Sequence, residues 1–181
     1  MGSYYYLAAQ LPYLVYGQGI PMSSAAFKSL AQDAMNSHDA KILDYCTLAP
    51  ASNAQEPYKT KSDFLNRFWE WERTLRGNLA RNRAIKLKRE SLGDVSDYPA
   101  DAAAIAKNAF AFESPLEAEI YLDKARWDAI ESFQGLSTFS ENAIYAYFLK
   151  LILMERRLAF KTEEGFSEYK ELYTAILGLK P

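Results

Sequence analysis

The residues best suited to acid-base or nucleophilic chemistry are scarce in this chain. Its 181 residues include a single histidine, His38, and a single cysteine, Cys46. A Ser/His/acid or Cys/His mechanism needs a histidine base, but the segment Asn-Ser-His-Asp around His38 is typical of a helix cap or an exposed turn. Cys46 lies between Leu43 and Leu48, which favours a buried structural thiol, because reactive thiols need accessible, electropositive surroundings. We therefore predict no catalytic residue.

Metal, nucleotide and carboxylate-dyad sites are also not indicated. A lone cysteine cannot form an internal disulfide, and one histidine with one cysteine cannot build a His/Cys zinc site. The eight glycines are scattered and never adopt the spacing of a phosphate-binding loop. Carboxylates that are adjacent or two residues apart point to different sides of a helix; the pairs of this kind are Glu70/Glu72, Glu117/Glu119 and Glu163/Glu164. We expect no metal, no cofactor and no enzymatic activity.

Charge is distributed unevenly along the chain. Segment 59–90 contains ten Lys and Arg against four Asp and Glu, a net charge of +6, and the remaining residues carry −8. Such a basic, Trp-bearing helix could bind nucleic-acid phosphates or an anionic membrane surface. It could also pair with acidic helices of its own fold or of another protein, or form a solvated face. The overall charge of −2 argues against a broad nucleic-acid-binding surface, so we favour a protein interface or internal pairing.

The elements that must position these residues are helices. Apolar residues at helical spacing predict helices that start at Ser23 or Ser24, at Asp39, at Thr60 or Ser62, at Ala102, at Ser114, at Ser140 and at Glu163. The longest runs to about Arg89 and carries an apolar stripe of Phe64, Phe68, Trp71, Leu75 and Leu79. In the helix after Ser140 the apolar residues, from Ile144 to Leu158, cover more than half the circumference, so it should lie centrally.

The predicted fold is all-α, an irregular bundle of six or seven helices. The aromatic run Tyr4 to Ala9 fits either a short N-terminal strand or one helical turn. We expect a single domain over residues 1–181, with loops at 49–60 and 92–101, a smaller part at 1–58 and a main helical part at 59–181. No run approaches the roughly 18 apolar residues that span a bilayer, and the N-terminal residues lack signal-peptide features. We therefore expect a cytoplasmic protein.

Four stretches of the sequence resemble known proteins. They are Tyr4-Tyr-Tyr-Leu-Ala-Ala-Gln-Leu-Pro, the Trp-Glu-x-x-Leu-Arg-x-x-Leu pattern of Trp71 to Leu79, Pro115-Leu-Glu-Ala-Glu with Leu122-Asp-Lys-Ala-Arg-Trp, and Ala146-Tyr-Phe-Leu-Lys-Leu-x-Leu-x-Glu-Arg. They are spread between residues 4 and 156 and are similar to a small family encoded beside V-type ATPase genes in some bacteria. The longer stretch from Arg67 to Ala84 distantly resembles a helix of the C subunit of archaeal and bacterial V/A-type ATPases, which corresponds to the d subunit of the eukaryotic enzymes.

The resemblance implies a helical accessory or stalk-associated component of a rotary V-type ATPase. Its partners would be other ATPase subunits of the central shaft or the membrane ring, and it would reach the cytoplasmic face of the inner membrane only through the complex. The family offers no catalytic residue to carry over. The charged and polar residues of the two shared helix motifs are the candidates for partner binding: Glu72, Arg73, Arg76, Asn78, Arg81, Arg83 and Arg126. Some of these motif residues could instead stabilise the fold itself. Glu72 and Arg76 can form an i,i+4 ion pair, and Trp71 and Trp127 fit core positions.

Overall fold

The structure is a computed structural model that describes residues 4–50, 59–89 and 99–160. These ranges contain seven helices and no strand: α1 Tyr5–Gln10, α2 Ser24–Ala34, α3 Ser37–Asp44, α4 Asp63–Lys86, α5 Ala100–Ala109, α6 Pro115–Gln134 and α7 Glu141–Leu158. The all-α prediction is confirmed, and the N-terminal aromatic run is a helix rather than a strand. The helix predicted over 163–177, and most of the loops predicted at 49–60 and 92–101, lie outside the described residues.

Polar side chains at the helix starts explain most of the helix boundaries. Ser23, Asn36, Ser62, Ser114 and Ser140 each accept a hydrogen bond from a backbone N–H in the first turn of the helix that follows. A cap of this kind typically stabilises a helix by about 1 kcal/mol. The starts predicted at Ser23, Ser62, Ser114 and Ser140 are confirmed, whereas α3 begins two residues before the predicted Asp39 because Asn36 caps it.

The long helix α4 buries the apolar stripe that its sequence predicted. Exposed fractions of the stripe side chains run from 0% for Phe68, Trp71 and Leu75 to 7% for Leu79. Burying one large apolar side chain contributes roughly 1.5–3 kcal/mol, so the stripe fixes α4 against α5, α6 and α7. The helix ends at Lys86, before the predicted Arg89, because Lys88 adopts a φ of +51°, outside the α-helical region.

Helix α7 occupies the central position predicted for it. It packs against α2, α3, α4 and α6, and its fully buried side chains include Tyr145, Leu149 and Leu151. The prediction that Leu158 belongs to the apolar, buried part of this helix is wrong, because its side chain in the last turn is 59% exposed. Among the described residues, no helix is long and apolar enough to cross a membrane.

The N-terminal helices share this core. The ring of Phe27 on α2 stacks on that of Phe148 on α7, with ring centroids 5.6 Å apart. At the start of α2, both the backbone N–H and the hydroxyl of Ser24 donate hydrogen bonds to the carboxylate of Glu155 on α7, at 2.7 and 2.6 Å. The buried apolar side chains form one cluster to which all seven helices contribute.

Candidate functional site

The polar centre of the molecule is an ion pair between α4 and α6. Arg126 donates hydrogen bonds to both carboxylate oxygens of Glu72, from Nε at 3.0 Å and from Nη2 at 3.1 Å. Its Nη1 donates to Asp123 Oδ1 at 3.1 Å. The three residues are almost completely buried, with exposed fractions of 0% for Glu72, 1% for Asp123 and 4% for Arg126. A buried arginine held by two carboxylates forms a rigid connection between the two helices.

Three further charged residues extend this pair towards the surface. Arg76 Nε lies 2.7 Å from Glu72 Oε1, and its Nη2 donates to the carbonyl of Leu48 at 3.0 Å. Arg156 of α7 pairs with Glu119 at 2.7 Å and lies 3.5 Å from Asp123. We call the six charged residues the ion cluster: Glu72, Arg76, Glu119, Asp123, Arg126 and Arg156. Its three carboxylates balance its three guanidinium groups, so the cluster joins α4, α6 and α7 without net charge.

Burial acts on the pKa values of Asp123 and Arg126 in opposite directions. Desolvation raises the pKa of Asp123 despite the neighbouring guanidinium groups of Arg156 and Arg126, and the buried Oδ2 atom of Asp123 has no hydrogen-bond partner. Desolvation would lower the pKa of Arg126, but the carboxylates of Glu72 and Asp123 outweigh it and the pKa is raised. Arg126 therefore stays protonated, and the energetically costly ion is Asp123.

The structure divides the seven candidate partner-binding residues into two groups. Glu72, Asn78 and Arg126 are buried, and the guanidinium group of Arg76 is engaged by Glu72. Arg73 and Arg81 are half-buried, and Arg81 donates to Asn78 Oδ1 at 2.6 Å. Among the seven, only Arg76 and Arg83 are exposed. The other five candidates therefore lie wholly or partly within the fold.

Basic residues crowd the end of α4 that carries Arg83. Arg83, Lys86, Lys88 and Arg89 are all exposed, and no ion pair between described residues involves any of them. Two large apolar side chains are interleaved with them, Ile85 at 65% exposure and Leu87 at 61%. We call residues 83–89 the basic end of α4. It combines positive charge with exposed apolar area.

A cleft of about 360 Å³ opens beside the basic end of α4. Leu79, Arg83 and Lys86 lie along its α4 side, and Pro115, Ala118, Glu119 and Leu122 lie along its α6 side. The end of α5 and the turn after it complete the lining with Ala109, Phe110, Phe112 and Glu113. We call this space the α4–α6 cleft. Its volume falls within the range of about 300–1,000 Å³ that is usual for ligand pockets.

The two residues with intrinsic reactivity lie elsewhere. The Cys46 side chain is buried, with its sulfur 3.7 Å from the carbonyl oxygen of Ile42, and burial raises the pKa of its thiol far above the usual range. The prediction of a buried structural thiol is confirmed. His38 is exposed in the first turn of α3, where its backbone N–H donates to the Asn36 cap. Within the described ranges, no group of three or more His, Cys, Asp or Glu residues is arranged to hold a metal ion.

Sequence reasoning missed half of the ion cluster. No ion pair was predicted for Asp123, Glu119 or Arg156, although Glu119, Asp123 and Arg126 are four and three residues apart and therefore share one face of α6. The i,i+4 pair of Glu72 and Arg76 was predicted and is present. Glu70 is exposed whereas Glu72 is buried, which confirms that this carboxylate pair points to different sides of its helix.

Comparison with known proteins gives no further assignment. No protein-family model matches the chain, and neither the curated proteins nor the solved structures contain a match.

Proposed function

We propose that this protein is a non-catalytic accessory or stalk-associated component of a bacterial V-type ATPase, with a role like that of the C subunit. It acts through protein-protein contacts with subunits of the central shaft or the membrane ring. It is cytoplasmic and associates with the cytoplasmic face of the inner membrane through the complex. The resemblance of four sequence stretches to the family encoded beside V-type ATPase genes supports the ATPase as its setting.

The observation that carries the protein-binding role is the composition of the basic end of α4. Its four cations are exposed beside Ile85 and Leu87, which are 65% and 61% exposed. Apolar side chains on a surface mark sites that a partner covers, when they form a contiguous patch with polar neighbours. Charged residues at the rim of such a patch guide the partner and set its orientation. The basic end of α4 carries exposed apolar side chains beside exposed cations.

The second candidate is a nucleic-acid or anionic-membrane-surface binder that uses the basic helix of residues 59–90. The cluster of Arg83, Lys86, Lys88 and Arg89 favours it, because these exposed cations form no ion pair with another described residue and exposed cations can bind phosphates. The burial of all three tryptophans, with exposed fractions of 0–4%, weakens it. Proteins that bind single strands without sequence preference stack bases on exposed aromatic side chains, and no indole is available at the basic end.

Two measurements separate these candidates. Purification of a tagged copy from the cell of origin should enrich subunits of the V-type ATPase. If those subunits were repeatedly absent, although the tagged protein was intact and the ATPase was present in the cell, the first candidate function would be excluded. Binding to DNA, RNA and acidic vesicles should be followed across salt concentrations. Phosphate binding weakens steeply as salt rises, so micromolar binding with that salt dependence would favour the second candidate.

A further inference from the structure

The α4–α6 cleft lies between the second half of α4 and the first half of α6. Near the middle of both helices, Glu72 of α4 pairs with Arg126 of α6. Farther along, Leu79 and Leu122, which are 7% and 3% exposed, form the buried floor of the cleft. Towards the end of α4 and the start of α6, the α6 side is lined by Ala118 and Pro115, whose small side chains leave the space unfilled.

Apolar groups surround the open end of the cleft as well as its floor. Phe112, between α5 and α6, is 41% exposed, and it lines the cleft together with Leu87, which directly follows α4. The aliphatic stems of Arg83 and Lys86 add further apolar area, since long basic side chains cover apolar surface with their methylene groups. Among the described residues, the lining of the cleft is therefore mostly apolar.

The two rims of the cleft carry opposite charges. The α4 rim has Arg83 and Lys86, and the exposed Lys88 and Arg89 follow them in the chain. The other rim has Glu113 and Glu119, and Glu119 is already paired with Arg156. No ion pair between described residues involves the cations of the α4 rim, so an occupant that presents carboxylates can pair with them.

We infer that the α4–α6 cleft receives an amphipathic helix of a partner protein, with acidic residues along the edge that faces α4. The apolar residues of that helix, at i, i+3 or i+4 and i+7, would fill the space above Leu79, Leu122 and Ala118, as helices do in apolar grooves. A helix is the fitting element because the described part of the chain offers no strand edge to extend. This inference rests on the proposed protein-binding function and specifies the chemistry of the partner.

Photo-crosslinking in the cell of origin tests the inference. Ala118 is replaced by p-benzoyl-L-phenylalanine in the full chain, and the crosslinked peptide is identified by mass spectrometry. The matched control carries the same residue in place of Ala34, which is exposed on α2. Position 118 should give one dominant crosslink, to another protein, in a segment with a helical apolar pattern and flanking Asp or Glu. Position 34 should not give that crosslink.

Charge reversal supplies the second half of the test. With the crosslinker at position 118, the double substitution Arg83→Glu and Lys86→Glu should lower the yield about tenfold, because it places like charges opposite the acidic edge. Lys41→Glu on α3, an exposed site away from the cleft, should leave the yield unchanged. Circular dichroism and thermal unfolding of each variant establish that its fold is intact.

The possible crosslinks separate this inference from the proposed function. A dominant crosslink within the chain itself, to a second copy of it or to a non-helical basic segment would overturn the inference. Absence of any crosslink at position 118, while ATPase subunits still co-purify, would overturn the inference and leave the proposed function standing. A helical acidic segment from a protein unrelated to the ATPase would support the inference and contradict the proposed function.

Discussion

Arg126 on α6 donates two hydrogen bonds to the carboxylate of Glu72 on α4, at 3.0 and 3.1 Å, and both side chains are buried. The two residues are 54 positions apart in the chain, so the pair fixes the distance between two long helices. The α4–α6 cleft opens along the same pair of helices. The ion cluster therefore positions the cleft, and its own residues contribute to the interior more than to the surface.

The first prediction concerns the loss of one partner in the buried pair. Glu72→Gln should lower the free energy of unfolding by about 3 kcal/mol, because breaking a buried ion pair leaves an uncompensated charge in the interior. Chemical denaturation followed by circular dichroism measures the change. Glu70→Gln, at an exposed site on the same helix, should change it by less than about 0.5 kcal/mol. Equal effects of the two substitutions would contradict an energetic role for the pair.

A second prediction concerns removal of both partners together. The double variant Glu72→Met and Arg126→Met should recover most of the stability lost in Glu72→Gln, since apolar side chains of similar volume often replace a buried ion pair at no cost. Denaturation under the same conditions measures the recovery. The remaining acidic partner, Asp123, still faces Arg156 at 3.5 Å. A double variant less stable than Glu72→Gln would show that the network as a whole needs the pair.

The third prediction is a dependence of stability on pH that arises from Asp123. Desolvation raises its pKa in the folded state, so the folded protein holds this proton more tightly than the unfolded chain does. The associated stabilisation is present below the unfolded pKa of about 3.9 and is lost as pH rises through the higher folded pKa. The wild type should therefore lose stability relative to Asp123→Asn as pH increases.

Unfolding curves of both proteins between about pH 4 and pH 7 measure this difference, starting near the unfolded pKa of an aspartate. Asp33→Asn, at an exposed site on α2, serves as the matched control. If the wild type instead gained stability relative to Asp123→Asn with rising pH, the folded pKa of Asp123 would be lowered and the balance of forces described for the ion cluster would be wrong.

The fourth prediction concerns the reactivity of Cys46. Its side chain is 6% exposed and burial raises the pKa of the thiol, so little thiolate forms and little of it is accessible. An aromatic disulfide reagent at pH 8 should react at least a hundredfold more slowly with the native protein than with the urea-unfolded chain. Similar rates in the two states would show that the segment after α3 opens freely.

Local patterns in the sequence predict much of the fold. The stripe from Phe64 to Leu79 and the Ser-Pro start of α6 are set by residues within one or two helical turns, and both predictions are confirmed. The end of α4 is predicted less well. Its sequence continues with good helix formers, and the turn at Lys88 is a departure from helix geometry that the composition does not signal.

Contacts between distant residues account for what the sequence could not predict. Glu155 of α7 accepts two hydrogen bonds from Ser24 at the start of α2, across 131 positions of the chain. Arg126 was a candidate for partner binding, but Glu72 and Asp123 neutralise it inside the fold. The cleft depends in the same way on the relative placement of α4 and α6, which no local pattern specifies.

In the proposed function, the protein binds subunits of a V-type ATPase through the basic end of α4. Quantitative mass spectrometry after affinity purification from the cell of origin tests it, comparing the wild type with the Arg83→Glu and Lys86→Glu double variant and with Lys41→Glu. We predict that ATPase subunits are enriched with the wild type and the control and fall about tenfold with the double variant, as expected for loss of charge complementarity. Absence of ATPase subunits from the wild-type sample, with tagged protein and complex both present in the cell, would contradict the claim.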